Sequence, residues 1–422
     1  MTSTVDAQRS TALDLGPARA LSCRECGHQT PLAPEFACAE CFGPLEVAYE
    51  FGNITRADIE AGPRSIWRYR GLLPVPAHVD AHPNTDPGLT RLVKADRLAA
   101  ALGVRSLWVK DDTGNPTHSF KDRVVAVALA AARELGFKVL ACPSTGNLAN
   151  AVAAAAARAG WDSVVLVPSS LEKAKILTSA VYDGSLIAID GNYDDVNRLA
   201  TELAAEHEDW AFVNVNVRPY YAEGSKTLGY EVAEQLGWRL PEQVVIPVAS
   251  GSQLTKVDKA FREFGELGLV EATPYRIFGA QATGCSPVSA AFKAGSDVIA
   301  PVKPDTIARS LAIGAPADGP YVLDAVRRTG GAVEDVTDAE VVEGIRLLAR
   351  TEGIFAETAG GVTVATAKKL FESGQLDRDA ETVLLITGDG LKTLDAVQDH
   401  VGPLATVPPT AAAVHEALSR KK

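Results

Sequence analysis

The chain has 422 residues, 46% of them apolar, and a formal net charge of −12. That length and apolar content allow a substantial core divided over two or three domains, and the acidic balance argues against a general affinity for nucleic acid. The first residues lack an apolar core of signal-peptide length and no run is long enough to span a bilayer, so no membrane partner is expected and the protein reads as cytoplasmic.

Residues 1–20 read as a disordered N-terminal tail. Two Cys-x-x-Cys pairs follow, Cys23 with Cys26 and Cys38 with Cys41, separated by a short segment containing Gly27 and Pro31. Each knuckle turns both sulfurs the same way, so four thiolates can surround one tetrahedral structural zinc. Disulfides are the alternative, and a cytoplasmic location argues against them. The segment 21–50 is therefore expected to be zinc-ribbon-like. Its acidic neighbours Glu25, Glu40 and Glu46 suit a structural appendage better than a nucleic-acid reader. Cys142 and Cys285 are isolated and read as small core residues.

From Phe51 to Asp86, scattered Pro and Gly with the aromatic anchors Trp67 and Tyr69 suggest an extended segment draped over a larger domain. A helix is expected from Ala95 to Leu102, stopped by Gly103. Ahead of it, Arg91 and Lys94 are either anion contacts or solvated cations. The stretch Asn115-Pro116-Thr117-His118-Ser119-Phe120-Lys121-Asp122 then lies between a strand-like run, Ser106–Lys110, and an Ala/Val-rich helical pattern. Lys121 thus sits where a loop becomes a helix. The positive end of the helix dipole and partial burial both disfavour its charged form, and a neutral lysine can form a Schiff base. The alternative is a solvated lysine beside Asp122.

The helix from Asp122 to Leu135 is apolar around most of its circumference and should be buried on several sides. A strand, Lys138–Cys142, leads into Ser144-Thr145-Gly146-Asn147, a turn that opens the next helix and offers N–H groups and hydroxyls to a carboxylate, or simply caps that helix. Strands at Ser163–Val167, Ser185–Asp190 and Ala211–Asn214 come next. The polar passage Asn214 to Thr227 holds Asn216, Arg218, Glu223 and Lys226 at the C-terminal end of a strand, where open α/β sheets bind ligands. Arg218 can clamp a phosphate bidentately and Lys226 can add a point charge; pairing of Lys226 with Glu223 is the bland alternative. The strand through Pro247 ends in Ala249-Ser250-Gly251-Ser252-Gln253, small residues opening a helix and suited to a phosphate cradle. Glu357 to Val362 opens a late helix. A buried strand, Val383–Ile386, ends at Thr387-Gly388-Asp389.

Alternating strands and helices give an α/β class with a twisted, mostly parallel sheet. We expect a large domain over 51–125 and 213–410, a smaller mobile α/β domain over 126–212, and a C-terminal tail over 411–422.

The lysine motif, the asparagine turn, the small-residue turn and the terminal Thr387 turn occur in the order found in the tryptophan-synthase-β-like, fold type II, pyridoxal-phosphate enzymes, and the chain resembles that family and its threonine synthases. The resemblance implies that Lys121 carries pyridoxal 5'-phosphate and that Asn147 meets the cofactor's phenolic oxygen. Ser144 and Thr145 would hold the substrate carboxylate, and Ala249, Ser250, Gly251, Ser252 and Gln253 would cradle the phosphate. Ala249, Ser252 and Gln253 depart from the glycine- and asparagine-rich form common in the family. Thr387, with Asp389 as competitor, would face the pyridine nitrogen; a hydroxyl there leaves the nitrogen largely unprotonated and weakens the ring as an electron sink. Asn216, Arg218 and Lys226 are the expected contacts of the substrate O-phospho-L-homoserine. A homodimer is implied, and some threonine synthases share the cysteine knuckles. The alternative within the family is a serine/threonine dehydratase or a cysteate-synthase-like β-replacement enzyme.

Overall fold

The computed structural model describes residues 13–77, 86–144, 146–191 and 193–420. Three sheets organise them. An antiparallel three-stranded sheet, order β2-β1-β3, is built from β1 (Ala18–Cys23), β2 (Gln29–Thr30) and β3 (Leu45–Tyr49). A six-stranded sheet contains β4 (Arg91–Lys94) and β5 (Ser106–Asp111), with four later strands described below. A four-stranded parallel sheet, order β8-β7-β6-β9, contains β6 (Val139–Pro143), β7 (Asp162–Pro168), β8 (Ser185–Ile189) and β9 (Trp210–Phe212).

The six-stranded sheet is completed by β10 (Gln243–Pro247), β11 (Arg276–Ala282), β12 (Val333–Val336) and β13 (Glu381–Ile386), in the order β12-β11-β10-β13-β5-β4. All its pairings are parallel except β4 with β5. The central strands β10 and β13 are apolar on both faces, as helix-covered parallel strands must be. Ile246 and Leu385 belong to the core on one face, and Val245 and Leu384 to the core on the other. The α/β expectation holds, with a mostly parallel large sheet and a smaller second sheet.

The helix Lys121–Glu134 joins the two sheets. Its residues 122–132 are all buried, because Ala126, Val127 and Ala130 pack into the large-sheet core while Val124, Val125 and Ala128 pack with Leu140 of the small sheet. A boundary between 125 and 126 therefore cuts a helix that serves both cores. Leu21 and Val47 join that second core, so the N-terminal sheet is fastened to the lysine helix rather than hanging free. The reading of 1–20 as a disordered tail needs correction at its end. Ala18 pairs with Tyr49 and Ala20 with Ala48, which places them inside β1; residues 1–12 lie outside the described part.

The segment after Phe51 is less extended than expected: it holds a short capped helix, Arg56–Glu60, and a 3-10 stretch, Ile66–Leu72, that buries Trp67 and Tyr69. Residues 78–85 of that segment lie outside the described part. The C-terminal stretch forms an exposed helix, Ala411–Ser419, capped by Thr410.

Candidate active site

The lysine loop is stitched to the end of β13. Ser119 bridges Gly388, and the Phe120 amide donates to the Thr387 carbonyl at 2.9 Å. Asp122 accepts from the Thr117 amide and hydroxyl, at 2.7 and 2.8 Å, so it braces the loop and is not the partner of Lys121. Beneath the first helical turn, the fully buried Arg123 reaches Asp112 at 2.7 Å and Glu231 at 2.8 Å, and Glu231 also pairs with Lys110 at 2.6 Å. Buried charges so matched hold the helix start in one position. Lys121 Nζ donates to the Tyr221 hydroxyl at 2.9 Å and lies 4.6 Å from the Phe120 ring centroid. Burial brings its amine down to about 8, against the opposing pull of the Glu357 carboxylate.

Lys121 lines a cavity of about 220 Å³. Its walls come from the C-terminal ends of β6, β10 and β13, the place where open α/β sheets receive ligands. Ser144 and Asn147 follow β6; Ala249, Ser250, Gly251, Ser252 and Gln253 follow β10; Thr387 follows β13; Arg218 closes one side. Ser144 Oγ accepts from the Gly146 and Ala149 amides at 2.9 and 2.8 Å, so it also caps the Asn147–Ala159 helix. Thr145 lies outside the described residues.

Gly251 has φ +98°, and a Cβ there would meet Val322 Cγ2 at 2.6 Å, so both backbone and packing demand glycine. The turn opens the Ser252–Glu266 helix and aims its N-terminus at the cavity. Asp389 Oδ1 accepts from the Leu391 amide at 2.8 Å; it caps the turn.

Two expected substrate contacts are corrected by their surroundings. Lys226 is fully buried away from the cavity lining, held by Glu263 at 3.0 and 3.1 Å, by Glu223 at 2.9 Å and by the Leu72 carbonyl at 2.9 Å. Its pairing with Glu223 is the bland alternative realised. Asn216 donates to the Trp210 carbonyl at 3.0 Å and braces the end of β9; Asn214 is the asparagine that lines the cavity.

Five other residues complete the site. Tyr221 shares the short helix Arg218–Glu223 with Arg218, and its i, i+3 spacing from that residue was a usable signal. Glu357 is buried with its carboxylate oxygens each 2.9 Å from Asn147 Nδ2. Gly388 must be glycine beside it, since a Cβ would stand 2.4 Å from Glu357 Oε1. Lys392 donates to Asn147 Oδ1 at 3.2 Å and Asn150 Oδ1 at 3.0 Å. Asp318 pairs with Arg218 at 2.8 Å. For Lys392 and Asp318 no sequence pattern pointed inward.

Residues 84–388 match the family model described as pyridoxal-phosphate dependent enzyme. The chain belongs to that family. It is 37% identical over 380 residues to a threonine synthase of Methanocaldococcus jannaschii, covering 89% of this chain and 93% of the relative. A threonine synthase of Methanosarcina acetivorans is 36% identical over 408 residues, 95% of this chain and 99% of the relative. The fold is that of type II members such as maize serine racemase, with a TM-score of 0.60 at 19% identity over 79% of this chain and 92% of that one.

The residues present fit the family's cofactor. An amine, a small-residue turn at a helix N-terminus and a terminal threonine converge on one cavity, and Gln253 Nε2, on the turn, is buried without a hydrogen-bond partner among the described residues. The cysteines fit a metal. Their four sulfurs lie within 4.8 Å of one another, with separations of 3.4, 3.4 and 3.7 Å along Cys23, Cys41, Cys26 and Cys38. Thiolates at ~2.3 Å from one tetrahedral zinc would stand about 3.8 Å apart.

Proposed function

We propose that this protein is a threonine synthase, converting O-phospho-L-homoserine and water to L-threonine and phosphate. The observation that carries the reading is Lys121, half-buried in the cavity with a lowered amine pKa, together with Arg218 on the wall of the same cavity. The long, high-coverage matches to threonine synthases support the choice of substrate.

When bound, pyridoxal phosphate supplies the electron sink that lets protons leave the substrate carbons. Lys121 Nζ is the base that takes the proton from Cα and the acid that returns protons further along the chain; an amine brought down to about 8 exchanges protons readily near neutral pH. The Tyr221 hydroxyl orients that amine. Asn147, fixed between the Glu357 carboxylate and Lys392, would meet the cofactor's phenolic oxygen. The turn from Ala249 to Gln253 would hold the cofactor phosphate through backbone N–H groups, and Thr387 would meet the pyridine nitrogen. Ser144 and the turn it caps receive the substrate carboxylate. Arg218 binds the phosphate that leaves the γ-carbon and keeps it beside the site while water adds at Cβ. Closure of the smaller domain excludes water until then.

A structural zinc held by Cys23, Cys26, Cys38 and Cys41, a cytoplasmic location and a homodimer belong to the same proposal. Sulfur spacing supports the first; for the second, no described helix is long and apolar enough to cross a membrane; family resemblance supports the third.

The test is incubation of the cofactor-loaded protein with O-phospho-L-homoserine, measuring phosphate and threonine together. Equal release is expected. Phosphate with a keto acid would mean elimination alone, and no phosphate would redirect the reading to a dehydratase or a β-replacement on O-phosphoserine.

A further inference from the structure

The N-terminal sheet reaches the active-site wall through one side chain. Arg24 lies between Cys23 and Cys26, and its NH1 stands 3.7 Å from Asp318 Oδ1, while Asp318 Oδ2 accepts from Arg218 NH2 at 2.8 Å. The three charges form a row, cation, anion, cation, ending in the cavity. None is fully exposed: the side chains retain 21%, 9% and 26% of their accessible surface for Arg24, Asp318 and Arg218.

Asp318 is unusual for its position. It is the N-cap of the Gly319–Arg328 helix, yet its carboxylate makes no capping hydrogen bond, although Asp at that position ordinarily accepts from the first-turn amides. The carboxylate goes to the two arginines instead. Its backbone is fixed, since the Asp318 amide donates to the Ser250 carbonyl of the cradle turn at 2.8 Å. Arg24 is fixed as well. Its guanidinium lies 3.5 Å from the Tyr321 ring centroid, on the same helix as Asp318, and the Tyr321 hydroxyl donates to Glu25. The first cysteine knuckle thus grips the first turn of this helix at two points.

A lone Asp318 beside Arg218 would neutralise it and repel an incoming anion. With Arg24 shared on the same carboxylate, the row keeps a net charge of plus one, and part of the Asp318 charge is drawn away from Arg218. We propose that Arg24 is a positioning residue that supplies the counter-charge to Asp318 and so leaves Arg218 able to bind the anionic end of the substrate. The inference rests on the reading of Arg218 as the phosphate contact. It gives the cysteine segment a part in substrate affinity, and it requires only the residues named.

The experiment uses the cofactor-loaded full chain, with inorganic phosphate as the probe by calorimetry and O-phospho-L-homoserine by steady-state kinetics. Arg24→Ala should weaken phosphate binding and raise KM about fivefold with kcat little changed, as loss of a half-buried charge interaction implies. The decisive variant is Arg24→Ala combined with Asp318→Asn: without the carboxylate no counter-charge is needed, so affinity should return toward that of the wild type. Cofactor uptake and bound zinc, measured in every variant, separate this from damage to the knuckle. Unchanged phosphate affinity in Arg24→Ala would overturn the proposal, and so would a double variant as weak as the single one. A wild-type protein that binds phosphate no better than Arg218→Ala would instead sink the phosphate reading of Arg218, and the inference with it.

Discussion

Arg218 and Lys226 come from one polar passage, and each is a cation beside a carboxylate, but their surroundings are opposite. Arg218 keeps a quarter of its side-chain surface and stands in the cavity wall on a single carboxylate. Lys226 has none, and two carboxylates and a carbonyl surround it. The same contrast separates two lysines near the cofactor site. Burial brings both Lys121 and Lys392 down to about 8, yet Lys392 is spent on the side-chain oxygens of Asn147 and Asn150 while Lys121 meets the cavity with only Tyr221 as its hydrogen-bond partner among the described residues. A perturbed or concentrated charge marks a candidate. Open space beside it is what distinguishes a reacting group from a brace.

Substitutions on the two sides of that contrast should behave differently. The largest effect is expected from Lys121→Ala, with kcat lowered by at least about 10³-fold while circular dichroism and thermal unfolding stay near wild type. Turnover within tenfold of wild type would remove the distinction between the two lysines. Lys226→Met should do the reverse, costing ~3 kcal/mol of unfolding free energy, because the buried Glu263 loses the cation that faces it while Glu223 keeps Lys256 and Lys259. The folded fraction should keep its KM; a raised KM with full stability would return Lys226 to the substrate. Arg218→Ala should raise KM by roughly 10- to 100-fold, the scale of one charge-assisted hydrogen bond, with melting little changed. The smallest mutational effect is expected from Tyr221→Phe, a loss of about 3- to 10-fold in kcat for one hydrogen bond.

The pH dependence follows from the direction of the Lys121 shift. Its amine must be neutral to bond the cofactor, and burial lowers its pKa from 10.5 to about 8. The neutral fraction rises with pH and saturates above that value, so cofactor uptake by the apoprotein should climb about tenfold per unit below pH 8 and level off above it. An uptake rate still climbing toward pH 10 would mean an amine in water, as the solvated alternative for Lys121 requires.

Much of this was legible because it is local. Strand, small-residue turn and helix start are written in consecutive residues, so the turns at Asn147, Gly251 and Thr387 could be placed at strand ends before any contact was known. The cysteine pairs are likewise a spacing signal. What escaped is tertiary. Asp318 and Lys392 come to the site from elements far along the chain, and the polar sequence neighbours of Lys226 point to substrate, whereas Glu263, which claims it, lies on another helix. Asn214 and Asn216 both lie in the turn that follows β9, and the choice between them depends on which one faces the cavity. Ala18 and Ala20 carry no strand signal of their own; pairing with β3 is what makes them strand.

The most direct test of the central claim is borohydride reduction of the cofactor-loaded protein followed by peptide mass mapping. The reduced cofactor should be found on the peptide containing Lys121 and on no other. Label on Lys392, or on any peptide without Lys121, would contradict the account.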